Sequence, residues 1–244
     1  MAEKRLRVFA GPNGSGKTTL FESIRNKFNP GYFINADLLE KTLKDKGYIN
    51  LSDIGLNSSF IEFDIFYKSS TLIQKAKTEG YEIKINLNDN ILISGSKNIH
   101  SYEAAFVAAF IREQLIKAAQ TFSFETVLSH SSKIEEIKLA KKQGYKIYLY
   151  YISVESPIIS QARVVSRVEK GGHPVNPDRI VSRYFQTLEH LASLTKIAHR
   201  AYFFDNSGKD ILLLAEKLPT GDLKEYARKY PQWFHKYVIQ KVDF

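Results

Sequence analysis

Eight consecutive residues, Gly11-Pro12-Asn13-Gly14-Ser15-Gly16-Lys17-Thr18, match the pattern G-x-x-x-x-G-K-[ST] at every fixed position. Each position has a chemical reason. Glycines let backbone amides turn inward around a phosphate, Lys17 can reach the β/γ oxygens, and the Thr18 hydroxyl can ligate Mg²⁺. Thr19 carries the loop into a helix whose positive end faces the same anion. The flanks agree: Leu6, Val8 and Phe9 read as a short apolar strand, and Thr19 to Phe28 as a helix with Leu20 and Ile24 on one face. A dinucleotide fingerprint beginning at Gly14 and Gly16 is excluded, because Thr19 stands where glycine or alanine is required. The run therefore implies a bound nucleoside triphosphate. The guanine-reading Asn-Lys-x-Asp pattern is missing, since Asn26-Lys27-Phe28-Asn29 lacks the acid, and so is the Leu-Ser-Gly-Gly-Gln stretch of transporter ATPases.

Ligands of open α/β sheets bind beyond the carboxyl ends of the strands, so acids there are the next candidates. Four stand in such places: Asp37, Glu125, Glu155 and Asp205. Phosphoryl transfer to a hydroxyl needs a carboxylate to orient that hydroxyl and accept its proton, and Asp37 is placed for it. As an acid at a helix start, Asp37 is equally suited to the helix dipole. Glu125, at the end of a Phe-rich strand and followed by Thr126, can orient substrate, hold the water shell of Mg²⁺ or hydrogen-bond to the phosphate loop. Asp205 falls toward the far edge, where a base or ribose would sit, and Glu155-Ser156-Pro157 reads as a helix start capped by Ser156.

Arg163 and Arg167 share one helix face, as do Arg179 and Arg183 on the next helix. Between the pairs lie Gly171, Gly172, His173 and two prolines. Two arginine-bearing helices around a glycine hinge have the form of a lid, residues 160–195, that closes over ATP and spreads transition-state charge. The same spacing also suits solvated helix faces. His173 has no His or Cys at ligand spacing, which argues against a transition-metal site.

The elements that must hold these residues alternate. Strands are expected at Leu6 to Ala10, Tyr32 to Asn35, Thr121 to Val127, Lys146 to Val154 and Ala201 to Asp205, with helices between them. This is the pattern of a single α/β domain over residues 1–244, a three-layer P-loop fold with a five-stranded parallel sheet in the order 2-3-1-4-5. Residues 58–100 form an inserted element, with a helix over Phe60 to Lys77 and a hairpin over Tyr81 to Ser94 turning at Asn88-Asp89-Asn90. The tail from Asp210 reads as partly helical, with Trp233 and Phe234 packing back on the core.

Lys and Arg number 35 against 26 Asp and Glu, a net charge of +9 that favours polyanionic ligands such as nucleotides. The lysines are scattered rather than gathered in a stripe, and no RNA-reading aromatic motif is visible, so nucleic acid is the weaker expectation, as an end kinase or a stimulated ATPase. Cysteine is absent, and no stretch approaches a membrane span or a signal core, so a cytoplasmic location is expected.

These residues resemble the zeta-toxin family of P-loop kinases in its shorter chromosomal branch. The resemblance is carried by Gly11 to Thr19; by Asn35-Ala36-Asp37; by Phe122-Ser123-Phe124-Glu125-Thr126 with Leu128-Ser129; by the segment from Gly144 through Arg163 to Pro177 with Arg183-Tyr184; and by Phe204-Asp205-Asn206-Ser207. It implies a kinase fold, ATP with Mg²⁺, a base at Asp37, a substrate contact at Glu125 and phosphate-contacting arginines in the lid. Founding members are UDP-N-acetylglucosamine kinases that act as toxins held by a small antitoxin, so a small anionic acceptor and an antitoxin-like partner are implied. The chain departs from the family pattern at Pro177, one residue late after the Gly-Gly-His, and at Gln186, where a second arginine is expected.

Overall fold

The structure is a computed structural model that describes residues 3–172 and 175–244; His173 and Pro174 of the expected hinge lie outside the described residues. In chain order the elements are β1 (Arg5–Ala10), α1 (Lys17–Ile24), β2 (Tyr32–Ile34), α2 (Ala36–Lys46), β3 (Tyr48–Asn50), α3 (Phe60–Ser69), α4 (Thr71–Thr78), β4 (Ile85–Asn88), β5 (Ile91–Ser94) and α5 (Ser101–Lys117). They continue with β6 (Phe122–Thr126), α6 (Ser131–Lys142), β7 (Lys146–Ser153), α7 (Pro157–Glu169), α8 (Pro177–Ile197), β8 (Arg200–Asp205), β9 (Leu212–Lys217), β10 (Leu223–Glu225) and α9 (Gln232–Phe234). Two compact units divide the chain, Met1–Gly31 with Ser123–Phe244, and Tyr32–Phe122.

Among the described residues the principal sheet is mixed and has seven strands. Six run through the first unit in the order β10-β9-β8-β7-β1-β6, and β2, the seventh, opens the second unit. β7 pairs in parallel with both β1 and β8, whereas β9 is antiparallel to β8 and to β10. The five-stranded parallel sheet expected from the sequence is therefore corrected by two further strands, β9 running against β8 and β10 running against β9. Residues Leu212–Lys217 read Leu-Leu-Leu-Ala-Glu-Lys, good helix formers without a period of two, and pairing with β8 overrides that propensity. The expected helical tail shrinks to α9 and the π turn of His235–Ile239.

Alternation along the strands sends side chains to two sheet faces. On one, Phe9 stacks on Tyr150 at 4.7 Å, Tyr150 stacks on Tyr202 at 5.0 Å, and Phe21 of α1 meets Phe9 edge-on. On the other, Trp233 lies against Tyr151 and Phe234 against Phe203, so the tail does pack back on this core. Such aromatic contacts contribute roughly 0.5–1.5 kcal/mol each beyond the area they bury.

The second unit contains the inserted element. Its expected long helix is broken into α3 and α4 at Ser70, which sits in extended backbone within the Ser69-Ser70-Thr71 run. β4 and β5 form the expected hairpin, closed by Asp89 and Asn90 at φ 47° and 63°, the left-handed pair of a type I′ turn. β3, too short to read from sequence, pairs with β5 to complete a three-stranded antiparallel sheet. Phe63 and Phe66 of α3 pack on Phe106 and Phe110 of α5 at 5.1 to 6.0 Å. Glu103 of α5 is fully buried and accepts hydrogen bonds from the Lys84 and His100 amides and the Ser96 hydroxyl, which satisfies its carboxylate and ties the hairpin to the helix.

Among the described residues no helix is long and apolar enough to cross a membrane. Phe110 is fully buried at the centre of the α3–α5 aromatic cluster. Phe110→Ala is expected to cost about 3–5 kcal/mol, read as a lower urea midpoint at unchanged slope.

Candidate active site

The phosphate loop follows β1 and is shaped by what surrounds it. Gly11 has φ 152°, and a Cβ there would lie 1.9 Å from the Ile152 carbonyl oxygen of β7, so no other residue fits. The Gly11 amide donates to the Thr126 carbonyl at 3.3 Å, which joins the loop to the end of β6. The Ser15 amide donates to the Pro12 carbonyl, closing the turn. Gly16 then caps α1 in left-handed backbone with φ 96°, and a Cβ there would lie 2.5 Å from Asn206 Nδ2.

Among the described residues, the amides of Gly14, Gly16 and Thr18 make no hydrogen bond within the protein. The Ser15 hydroxyl and the Asn13 carbonyl oxygen are buried without a partner. Orphaned amides at a helix N-terminus together with unmet polar side chains in one loop fit a polyphosphate. Lys17 is buried; its ammonium donates to the Pro12 carbonyl at 3.0 Å and lies 4.0 Å from Glu125. The Thr18 hydroxyl donates to Glu125 Oε2 at 2.8 Å. A magnesium ion suits this set, because Mg²⁺ takes one or two protein oxygens and completes its shell with phosphate and water. Among the described residues no group of three or more His, Cys, Asp and Glu forms a protein cage for a metal.

Among the described residues of the first unit, Glu125 is the strand-end acid that reaches the loop side chains. The Thr126 hydroxyl accepts from the Leu128 amide and its carbonyl from Gly11, so both groups shape the backbone. Asp205 accepts from the Ser207 amide and hydroxyl and from the Trp233 indole N–H, which occupies the carboxylate expected near a base or ribose. Glu155 accepts from the Gln232 amide, and Ser156 caps α7 through the Ile158 amide, as expected for a helix start. In the second unit, Asp37 lies exposed in the first turn of α2, whose N-terminus is capped by the Asn35 side chain through the Asp37 and Leu38 amides.

Arg163 sits beside the loop. A Cβ on Gly14 would lie 3.3 Å from the Arg163 Cβ, and Nη2 of Arg163 donates to the Gly208 carbonyl at 3.4 Å. Arg167 is exposed one turn further along α7, where its Cγ and carbonyl meet Gly172. Arg183 is half-buried on α8. Its neighbour Tyr184 donates to the Val154 carbonyl at 2.7 Å, and burial pushes the Tyr184 hydroxyl well above its ordinary range, so it stays a donor. Thr187 donates to the Val127 carbonyl, so α8 is tied to the ends of both β6 and β7.

The sequence reading missed Asn206 as a working residue, having quoted it only within a family block. Its Nδ2 donates to the Ser15 carbonyl at 2.8 Å. A polar Asp-Asn-Ser-Gly turn directly after a buried strand is the signal that could have marked it.

With this geometry described, comparison with known proteins is informative. The family model described as Zeta toxin matches residues 95–215, from just before α5 through most of β9. A curated relative from Haemophilus influenzae, an uncharacterized protein, is 38% identical over 69 residues, which are 28% of this chain and 49% of that protein. Among solved structures, the AvrRxo1-ORF1:AvrRxo1-ORF2 complex with sulphate ions aligns at TM-score 0.58 and 16% identity over 97% of this chain and 64% of the other. The same complex with ATP aligns at 0.56 over 92% and 61%. The PezAT chromosomal toxin–antitoxin system of Streptococcus pneumoniae aligns at 0.51 and 16% identity over the whole of this chain and 81% of the other. The chain thus spans about half of the curated relative in its matched segment and under two thirds of the AvrRxo1 chain. At these identities the structures establish an α/β P-loop kinase-like fold, and the family match shows that residues 95–215 are similar to zeta toxins.

Proposed function

We propose that the protein is an ATP-dependent phosphotransferase acting on a hydroxyl of a small anionic metabolite, with a nucleotide sugar such as UDP-N-acetylglucosamine as the first acceptor to test. The observation that carries the reading is the loop itself: unpaired amides at Gly14, Gly16 and Thr18 beside the buried Lys17 and the Thr18–Glu125 hydrogen bond. The zeta-toxin match and a structural relative solved with ATP support adenine as the base. An antitoxin-like protein partner belongs to the same reading, supported by the PezAT toxin–antitoxin relative.

In this mechanism the loop amides and Lys17 hold the β- and γ-phosphate oxygens, and Lys17 leaves the Pro12 carbonyl to do so. Thr18 and Glu125, already joined by a hydrogen bond, are the residues that would hold Mg²⁺, directly or through water. Bound Mg²⁺ would neutralise charge on the phosphates and align them. Asp37, in the first turn of α2, orients the acceptor hydroxyl and takes its proton. Arg163, whose Cβ lies beside Gly14 of the loop, supplies a guanidinium to stabilise charge on the transferred group, with Arg167 on α7 and Arg183 on α8 adding to the cationic surface.

The test is incubation with γ-labelled ATP, Mg²⁺ and either UDP-N-acetylglucosamine or a metabolite extract. A labelled small-molecule product is expected from the wild type. Asp37→Asn should lower its rate by about 10² to 10⁴ while leaving ATP binding intact. Arg163→Ala should lower kcat by about 10² with a smaller change in KM for ATP. Transfer that is absent, or that survives Asp37→Asn unchanged, would overturn the reading.

A further inference from the structure

The turn Asp205-Asn206-Ser207-Gly208 joins four parts of the first unit. Asn206 Nδ2 holds the Ser15 carbonyl of the phosphate loop at 2.8 Å, and its own amide donates to the Ser153 carbonyl of β7 at 2.8 Å. Ser207 Oγ accepts from the Glu155 amide at 2.7 Å, Gly208 accepts from Arg163 of α7, and Asp205 accepts from the Trp233 indole. The turn is thereby fixed from β7, α7 and the C-terminal tail before it touches the loop. An acceptor opposite the side chain means that only the amide nitrogen of Asn206 can face Ser15.

The consequence lies in the peptide plane. In a trans peptide the C=O of Ser15 and the N–H of Gly16 point in opposite directions. Holding that carbonyl toward β8 therefore directs the Gly16 amide away from β8, and this amide has no partner among the described residues. The same side chain fills the space where a Cβ on residue 16 would lie, 2.5 Å from Nδ2, so a side chain at position 16 would collide with Asn206 as well as strain the backbone at φ 96°.

We propose that Asn206 is a positioning residue for the nucleotide: by holding the Ser15 carbonyl it leaves the Gly16 amide turned away from β8 and available to a phosphate in the loop. The proposal rests on the reading of the loop as the ATP site, and concerns binding of ATP rather than transfer. Asn206→Asp keeps size and replaces the donor by a carboxylate that repels the Ser15 carbonyl, whereas a protonated Asp can donate again. Asn206→Ala removes the contact at every pH. The other charged groups near the turn, Asp205, Glu155 and Arg163, are present in all three proteins, so acid effects acting through them appear equally in the alanine variant.

The experiment titrates the full-length wild type, Asn206→Ala and Asn206→Asp with ATP and Mg²⁺ without acceptor, at pH 7.5 and at pH 5, with thermal melting alongside. At pH 7.5 the alanine variant is expected to bind about tenfold more weakly and the aspartate variant more weakly still, each with a melting curve that shows a folded protein. At pH 5 the aspartate variant should recover toward the wild type relative to alanine. Equal affinity of all three at pH 7.5, or weakened binding by the aspartate variant without acid recovery, would overturn the proposal. Equal affinities in a protein that still transfers phosphate would sink this inference alone; a wild type that binds no ATP would sink the parent reading and this inference with it.

Discussion

The ends of β1 and β7 approach so closely that the first residue of the phosphate loop has no room for a side chain. A Cβ on Gly11 would lie 1.9 Å from the Ile152 carbonyl oxygen, and one on Gly14, in the next turn of the loop, 2.8 Å from the Ser160 carbonyl oxygen of α7. This crowding comes from parallel pairing along the full length of β1, from Arg5 with Lys146 to Ala10 with Tyr151. It forces the chain to leave β1 as bare backbone, and bare backbone brings amides rather than side chains into the loop. The orphaned N–H groups of Gly14, Gly16 and Thr18, the buried Lys17 and the Thr18–Glu125 bond all follow from where that backbone is made to run.

The acids at the strand ends share one sequence signature and meet different fates. Glu125 reaches the loop because β6 ends beside Gly11, where the Gly11 amide meets the Thr126 carbonyl. Asp205 spends both oxygens on Ser207 and the Trp233 indole, and Glu155 receives the Gln232 amide, so these two anchor the tail. Nothing in the order of residues separates these roles. They depend on where the tail, 28 positions beyond Asp205 and 77 beyond Glu155, returns to the sheet.

Much of the local structure was legible. The α2 boundaries, the Asp89-Asn90 hairpin, the capped start of α7 and the burial of Trp233 and Phe234 each follow from signals a few residues long: an Asn cap, a left-handed turn pair, a Ser-Pro pair and an aromatic pair. What escaped were elements stabilised by distant partners. β3 is three residues whose strand state comes from pairing with β5, and β9 is a helix-forming sequence held extended by β8. The break at Ser70 depends on two helices each packing a separate face, and periodicity alone read through it.

By itself the sequence determined that a loop of backbone amides with a lysine and a threonine is set between a strand and a helix, because those residue types at that spacing have one conformational outcome. It also determined the zeta-toxin resemblance, which the match over residues 95–215 supports. Only the tertiary structure decided how the loop is held: the Asn206–Ser15 contact spans 191 positions and the Thr18–Glu125 contact 107. Contacts of that separation follow from strand order and register, which no local pattern encodes, and they set which carbonyls and amides of the loop face inward.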